Sequence, residues 1–142
     1  MLDKNFQKLY ENFRMRYYQK LFKQNNDQDD GLSANEMFCV ETVYLLGNPT
    51  LSEYADFIGV SRSNVNYKIN GLINKGYITK TISDKDKREY HLSVTNKFID
   101  FYITKDSCTD EFTQRVRKEF TTEEMPILEA YLARITQVMN EK

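Results

Sequence analysis

The run Thr50-Leu51-Ser52-Glu53-Tyr54-Ala55-Asp56-Phe57-Ile58-Gly59-Val60-Ser61-Arg62-Ser63-Asn64 holds two helix starts and a helix stop within a few turns of chain. Thr50 and Glu53 stand as a capping box, in which the threonine hydroxyl accepts the N3 amide and the glutamate reaches back to the N-cap amide. The helix they open should end near Ile58, because Gly59 can take the left-handed conformation that stops a helix. Ser61 is a second N-cap, and its helix should run over residues 62–75 with Gly76 as the stop. Two helices joined by a tight, glycine-containing turn form a helix-turn-helix. Immediately after, residues 77–82 and 88–92 read as two strands around the polar turn Ser83-Asp84-Lys85-Asp86-Lys87. The whole pattern is that of a winged helix-turn-helix, an arrangement that normally reads double-stranded DNA.

Outward from this unit the pattern stays helical. Phe6, Leu9, Tyr10, Phe13, Tyr17 and Leu21 recur at helical spacing, and Tyr18 and Phe22 widen the stripe, which predicts a first helix over residues 3–23. An amide- and Asp-rich loop should cover 24–31. Ser33-Ala34-Asn35-Glu36 is another capping box, opening a helix to residue 46 that Gly47-Asn48-Pro49 ends. Ser93 is expected to cap a long helix over 94–120, with an interruption around 104–110. Thr121-Thr122-Glu123-Glu124 is a further capping box before a last helix that carries Leu128, Tyr131, Leu132, Ile135 and Met139 on one face. Pro126 falls in its early turns, where it weakens the helix without breaking it. The expected fold class is mainly α with a small β-wing. One domain spans 1–142: a winged-helix lobe at 33–95, flanked by helices at 1–24 and 96–142.

The flanking helices carry wide apolar stripes, and little remains in one chain to cover them. A helix with such a stripe must bury it against something. The economical partner is a second copy, giving a symmetric dimer built from both ends of the chain. A dimer would also set two recognition helices about one DNA turn apart, roughly 34 Å.

Composition narrows the functional class. Ten Tyr and nine Phe in 142 residues argue for a packed core and against disorder. No apolar run approaches the roughly 20 residues of a membrane span, and Met1-Leu2-Asp3-Lys4-Asn5 does not begin an apolar signal segment. Two Cys provide neither a disulfide framework nor metal-ligand spacing, so no cofactor or metal is expected and a reducing cytoplasm is. The net charge is −1, but it is unevenly spread. Residues 61–91 hold seven basic side chains (Arg62, Lys68, Lys75, Lys80, Lys85, Lys87, Arg88) against three acidic ones, a balance of +4, while 1–60 stand at −3 and 92–142 at −2. The positive charge lies where phosphate neutralisation would need it.

On the helix from residue 62, Val65, Ile69, Leu72 and Ile73 share one face and should be core. The other face shows Ser63, Asn64, Asn66, Tyr67 and Asn70, flanked by Arg62 and Lys68, a hydrogen-bonding surface with few acids. Asn can pair with adenine N6 and N7, and Arg favours guanine. In the wing, Asp86 can accept from the turn backbone and orient Arg88. Arg88 would then enter a minor groove whose narrowing concentrates negative potential, with Lys85 and Lys87 on the flanking phosphates.

These residues carry a resemblance to the MarR family of bacterial transcriptional regulators over nearly the whole chain. Its strongest parts are Leu51-Ser52-Glu53-Tyr54-Ala55, Val60-Ser61, Gly71-Leu72-Ile73-Asn74-Lys75-Gly76-Tyr77-Ile78, the wing run Asp86-Lys87-Arg88, and Leu92-Ser93-Val94-Thr95 before the next helix. The order of helices and wing is similar too. Asn96-Lys97-Phe98 departs from the pattern, since the family often has a Gly near Phe98, and so does the slightly acidic net charge. The resemblance implies that Ser63, Asn64, Asn66 and Tyr67 approach bases or phosphates. It also implies that a small-molecule effector could lodge between the dimerisation helices and the DNA-binding lobe, where Phe13, Tyr17, Tyr44, Phe98 and Tyr102 are aromatic candidates; ordinary packing is the competing role for those rings.

Some relatives sense oxidants through a Cys on the first helix, which has none here. Cys39 has apolar neighbours and is expected to be buried and inert. Cys108 lies among Ser, Thr and Asp, where redox sensing would require a lowered thiol pKa. His91, beside Tyr90 on a wing strand, is expected to be structural or close to phosphate, because one His and two distant Cys make a poor zinc site. No nucleophile–base pairing, phosphate-cradling Gly-rich loop or metal cluster points to an enzyme. The expected function is a homodimeric, sequence-specific DNA-binding regulator, a repressor acting at an inverted repeat and released by an effector. The alternatives are a winged helix that binds proteins instead of DNA, and a Cys-based redox-sensing regulator.

Overall fold

Reciprocal capping starts the helices of the central lobe. In the computed structural model, which describes residues 1–25, 31–85, 87–104 and 107–141, the Glu36 amide donates to Ser33 Oγ at 3.2 Å and the Ser33 amide donates to Glu36 Oε2 at 2.9 Å. Thr50 and Glu53 make the same exchange at 3.0 Å in each direction. The elements in chain order are α1 (Leu2–Asn25), α2 (Ala34–Leu46), α3 (Leu51–Ile58), α4 (Arg62–Asn74), β1 (Ile78–Ile82), β2 (Tyr90–Val94), α5 (Asn96–Thr104), α6 (Ser107–Glu119) and α7 (Glu124–Asn140). The result is a mainly helical chain with a two-stranded antiparallel wing. Two compact units are present, Met1–Tyr102 and Ile103–Lys142.

The turn between α3 and α4 depends on Gly59, whose φ of +67° is costly for any residue with a Cβ. From there Val60 N–H reaches back to Ala55 C=O at 3.2 Å, and Ser61 begins α4 by accepting the Asn64 amide. Gly76, at φ +81°, ends the same helix. Lys97 secures that end by donating from Nζ to the Lys75 carbonyl at 2.9 Å, with the ammonium 4.4 Å from the Tyr77 ring centroid. A cation near the last carbonyls of a helix is favoured by the helix dipole.

The core lies in this lobe. Val40 and Val43 of α2, Tyr54 of α3, and Val65, Ile69 and Leu72 of α4 are buried with Ile78, Leu92 and Phe98. Ile73, expected among them, is only partly buried against the cluster. The outer helices differ. Phe6, Leu9, Phe13 and Phe22 of α1 stay exposed, and α7 has no buried residue.

Three expectations are corrected. The second strand begins at Tyr90, not residue 88, because the ladder pairs Ile78 with Val94, Lys80 with Leu92 and Ile82 with Tyr90. This register keeps Ile78 and Leu92 on one buried face and leaves Arg88 in the wing loop. Ser93 does not cap a helix: it pairs with Thr79, and Thr95 N–H extends the sheet to the Tyr77 carbonyl at 3.0 Å. The pairing delays the helix to Asn96, with Thr95 C=O accepting from Phe98 and Ile99. Beyond it, α5 ends at Thr104 and α6 begins at Ser107, at the interruption expected around 104–110; residues 105–106 lie outside the described residues. At the last box, Thr121 and Glu124 exchange hydrogen bonds of 2.8 and 3.2 Å, but regular α7 begins at Glu124. Pro126 explains this, since it has no N–H for the Thr122 carbonyl.

Candidate nucleic-acid interface

Helix α4 buries Val65, Ile69 and Leu72 and turns its polar face outward. Arg62, Ser63, Asn64, Tyr67, Lys68 and Asn70 are exposed, and Tyr67 stands 83% accessible. Near the helix start the hydroxyls of Ser61 and Ser63 lie 3.2 Å apart. The N-terminus therefore presents hydroxyls, Arg62 and backbone amides together, a set suited to phosphate oxygens. Asn66 departs from its neighbours. It is half-buried, and its Oδ1 accepts from Lys80 Nζ at 2.9 Å, so this amide faces the wing.

The wing is closed by the Ser83 amide donating to the Glu89 carbonyl at 2.9 Å, and the Lys85 amide donates to Ser83 Oγ at 3.3 Å. Lys85, Lys87 and Arg88 are all exposed around this turn. Asp86, expected to orient Arg88, lies outside the described residues. Arg88 joins Arg62, Leu51, Ser52, Glu89 and Tyr90 around one cavity of about 320 Å³. Two arginines from separate parts of the lobe thus border a single cleft beside the first turns of α3 and α4. This convergence was not readable from spacing along the chain, since Arg62 and Arg88 are brought together by the wing folding back.

The lobe is tied together by further polar contacts. Lys75 Nζ pairs with Glu36 at 2.8 Å, joining the end of α4 to the start of α2. That ammonium holds the Glu36 carboxyl below the usual carboxylate range. His91, expected to be structural or close to phosphate, has Nδ1 3.2 Å from the Asn48 carbonyl and forms an isolated bridge with Thr50.

Four of the five aromatic effector candidates meet around α2. The rings of Tyr44 and Phe98 both lie against Tyr102, with centroids 5.2 Å away in each case, and Tyr17 stacks on Phe38. Glu41 joins them, accepting from the hydroxyls of both Tyr17 and Tyr102, the latter at 3.0 Å. Burial, reinforced by Glu41, pushes the Tyr17 phenol up from its ordinary value. Phe13 lies one turn before Tyr17 on α1 and is exposed. The sequence pattern had given Glu41 no role. Cys39 is not fully buried as expected; it borders a cavity of about 450 Å³ between α2 and α4, alongside Asn35, Tyr67 and Asn70. The Cys108 side chain falls outside the described residues.

Among the described residues no group of three or more His, Cys, Asp or Glu side chains gathers as a metal site, and no helix is long and apolar enough to cross a membrane.

Comparisons with known proteins agree with this architecture. Residues 32–90 match the model of the MarR family. Among solved structures, a transcriptional regulator from Thermotoga maritima is similar at 20% identity, with 96% of this chain and 95% of that one covered and a TM-score of 0.63. A mutant of MepR from multidrug-resistant S. aureus aligns at 16% identity over 98% and 97% of the two chains, with a TM-score of 0.68. FabT of Streptococcus pneumoniae, solved in complex with DNA, aligns at 20% identity over 95% and 97%, with a TM-score of 0.55. At these identities the likeness is one of fold. No curated protein sequence matches the chain.

Proposed function

We propose that this chain, whose residues 32–90 match the model of the MarR family, is a regulator of that family and acts as a homodimeric, sequence-specific repressor of transcription in the cytoplasm. The observation that carries this reading is the exposed, acid-poor face of α4 beside a cleft bordered by both Arg62 and Arg88. In this reading Ser63, Asn64, Asn66 and Tyr67 approach base edges in the major groove, while Arg62 and Lys68 flank them toward phosphate. Lys85, Lys87 and Arg88 extend the contact along the backbone and into the adjacent minor groove. Structures of MepR bound to an oligodeoxyribonucleotide and of FabT bound to DNA share this fold and lend support. Symmetry of the dimer calls for an inverted-repeat operator.

The same reading includes a small-molecule effector taken up beside Phe13, Tyr17, Tyr44, Phe98 and Tyr102. Its support is that α1, α2 and α5 are joined there through Glu41, by hydrogen bonds that a polar aromatic ligand could replace. Such a ligand would release DNA only by binding better to a form of the protein that holds DNA poorly.

The test is selection of bound sequences from a random DNA pool at near-physiological salt. An inverted repeat with half-site centres about 10 bp apart is the expected outcome. A pool that remains random would overturn specific DNA reading and turn attention to protein partners.

A further inference from the structure

The alternation of β1 places Ile78, Lys80 and Ile82 on one side of the wing, the side that Ile78 and Leu92 bury. A lysine is an unusual occupant of that face. Its ammonium is held in two ways: it donates to Asn66 Oδ1 at 2.9 Å, and it stands 4.6 Å from the centroid of the Tyr90 ring. The aromatic face attracts the cation and keeps it in place. Lys80 thereby joins both wing strands to the recognition helix.

A lysine ammonium can only donate, whereas an asparagine amide has an accepting oxygen and a donating nitrogen. The bond therefore fixes which way the Asn66 amide points, with the carbonyl toward the wing and Nδ2 away from it. Reading adenine requires both ends of the amide, Oδ1 accepting from N6 and Nδ2 donating to N7. Here one of the two lone pairs of Oδ1 is taken by the Lys80 ammonium, and an adenine amino group approaching the other would meet that ammonium donor against donor. The pair retains N–H donors, which suit the two acceptors of guanine, N7 and O6.

We propose that Lys80 is a positioning residue for sequence reading: by holding the Asn66 carbonyl, it makes the Asn66 position select guanine over adenine. The inference rests on the DNA-reading function proposed above. Random-pool selection with the full-length parent chain, Lys80→Met and Asn66→Ala tests both and separates them. The parent should recover a motif with guanine at one position of each half-site. Lys80→Met should lower the guanine-to-adenine ratio at that position about tenfold, within the range that one base-edge contact provides, while the other positions keep their preference. Asn66→Ala should leave that same position without preference. A Lys80→Met pool that keeps the parent motif, even at lower affinity, would reduce Lys80 to a charge or a packing group and overturn the inference. An unchanged motif with Asn66→Ala would overturn it independently, should Lys80→Met fold poorly. A parent pool without any motif would instead sink the DNA-reading function itself.

Discussion

At the scale of single residues, the lobe is held by carboxylates that each satisfy two partners. Glu41 accepts from Tyr17 on α1 and from Tyr102 on α5. Glu41→Ala would leave two partly buried hydroxyls without that acceptor, and unmade hydrogen bonds in such settings cost about 1–3 kcal/mol. Urea unfolding should show a loss in that range, with Glu41→Gln recovering part of it; equal stability of parent and Glu41→Ala would mean the carboxylate is a bystander. Glu36 provides a pH signature. Its folded pKa is depressed by Lys75, so its contribution is present above the ordinary value of 4.5 and is lost as pH falls through the lower folded value. Because the Lys75 side chain is 42% exposed, solvent screening limits the pair to less than about 1 kcal/mol. Thermal melts at acidic and neutral pH should therefore differ by slightly less in Glu36→Gln than in the parent. A larger pH difference in the variant would give the interaction the wrong sign.

At the scale of elements, the helix starts were legible because capping is local chemistry. Ser33, Thr50 and Ser61 each act within three residues of themselves, and all three start helices where expected. The failures came where distant pairing overrides a local signal. Ser93 has the chemistry of a cap, yet sheet pairing with Thr79 keeps it extended. Lys80 looked like one more basic residue of the wing, and its bond to Asn66 depends on a strand lying against a helix. The wing loop itself was legible as a basic turn, and Arg88 is exposed within it. Arg88→Ala should thus weaken DNA binding while leaving the melting temperature nearly unchanged. If Arg88 neutralises one phosphate, the slope of log K against log salt should become shallower by about 1. Parent-like affinity at matched salt would remove the wing from the interface.

At the scale of the whole molecule, the distribution of apolar surface is the fact that demands an explanation. The lobe encloses its core, whereas α1 leaves Phe6, Leu9, Phe13 and Phe22 open to solvent. In the other unit, Tyr131 and Leu132 of α7 are at least half accessible, and nothing on that helix is buried. Helices of this kind are stable only when the stripe is covered, since most helical stability comes from tertiary packing of the apolar face. In the proposed dimer a second copy would supply apolar surface to cover these stripes, and closed two-fold symmetry would use each surface fully. The parent should therefore run in sedimentation at twice its mass of 16.9 kDa. Leu132→Glu puts a charge into the proposed interface and should shift the protein toward the monomer. Because obligate dimers often have no stable folded monomer, the variant is expected to lose helical signal as well as mass. Its DNA affinity should fall more than that of Arg88→Ala, since losing the partner removes a whole half-site and not one phosphate contact. A parent that sediments as a folded monomer would refute the dimer and, with it, the reason to expect an inverted repeat.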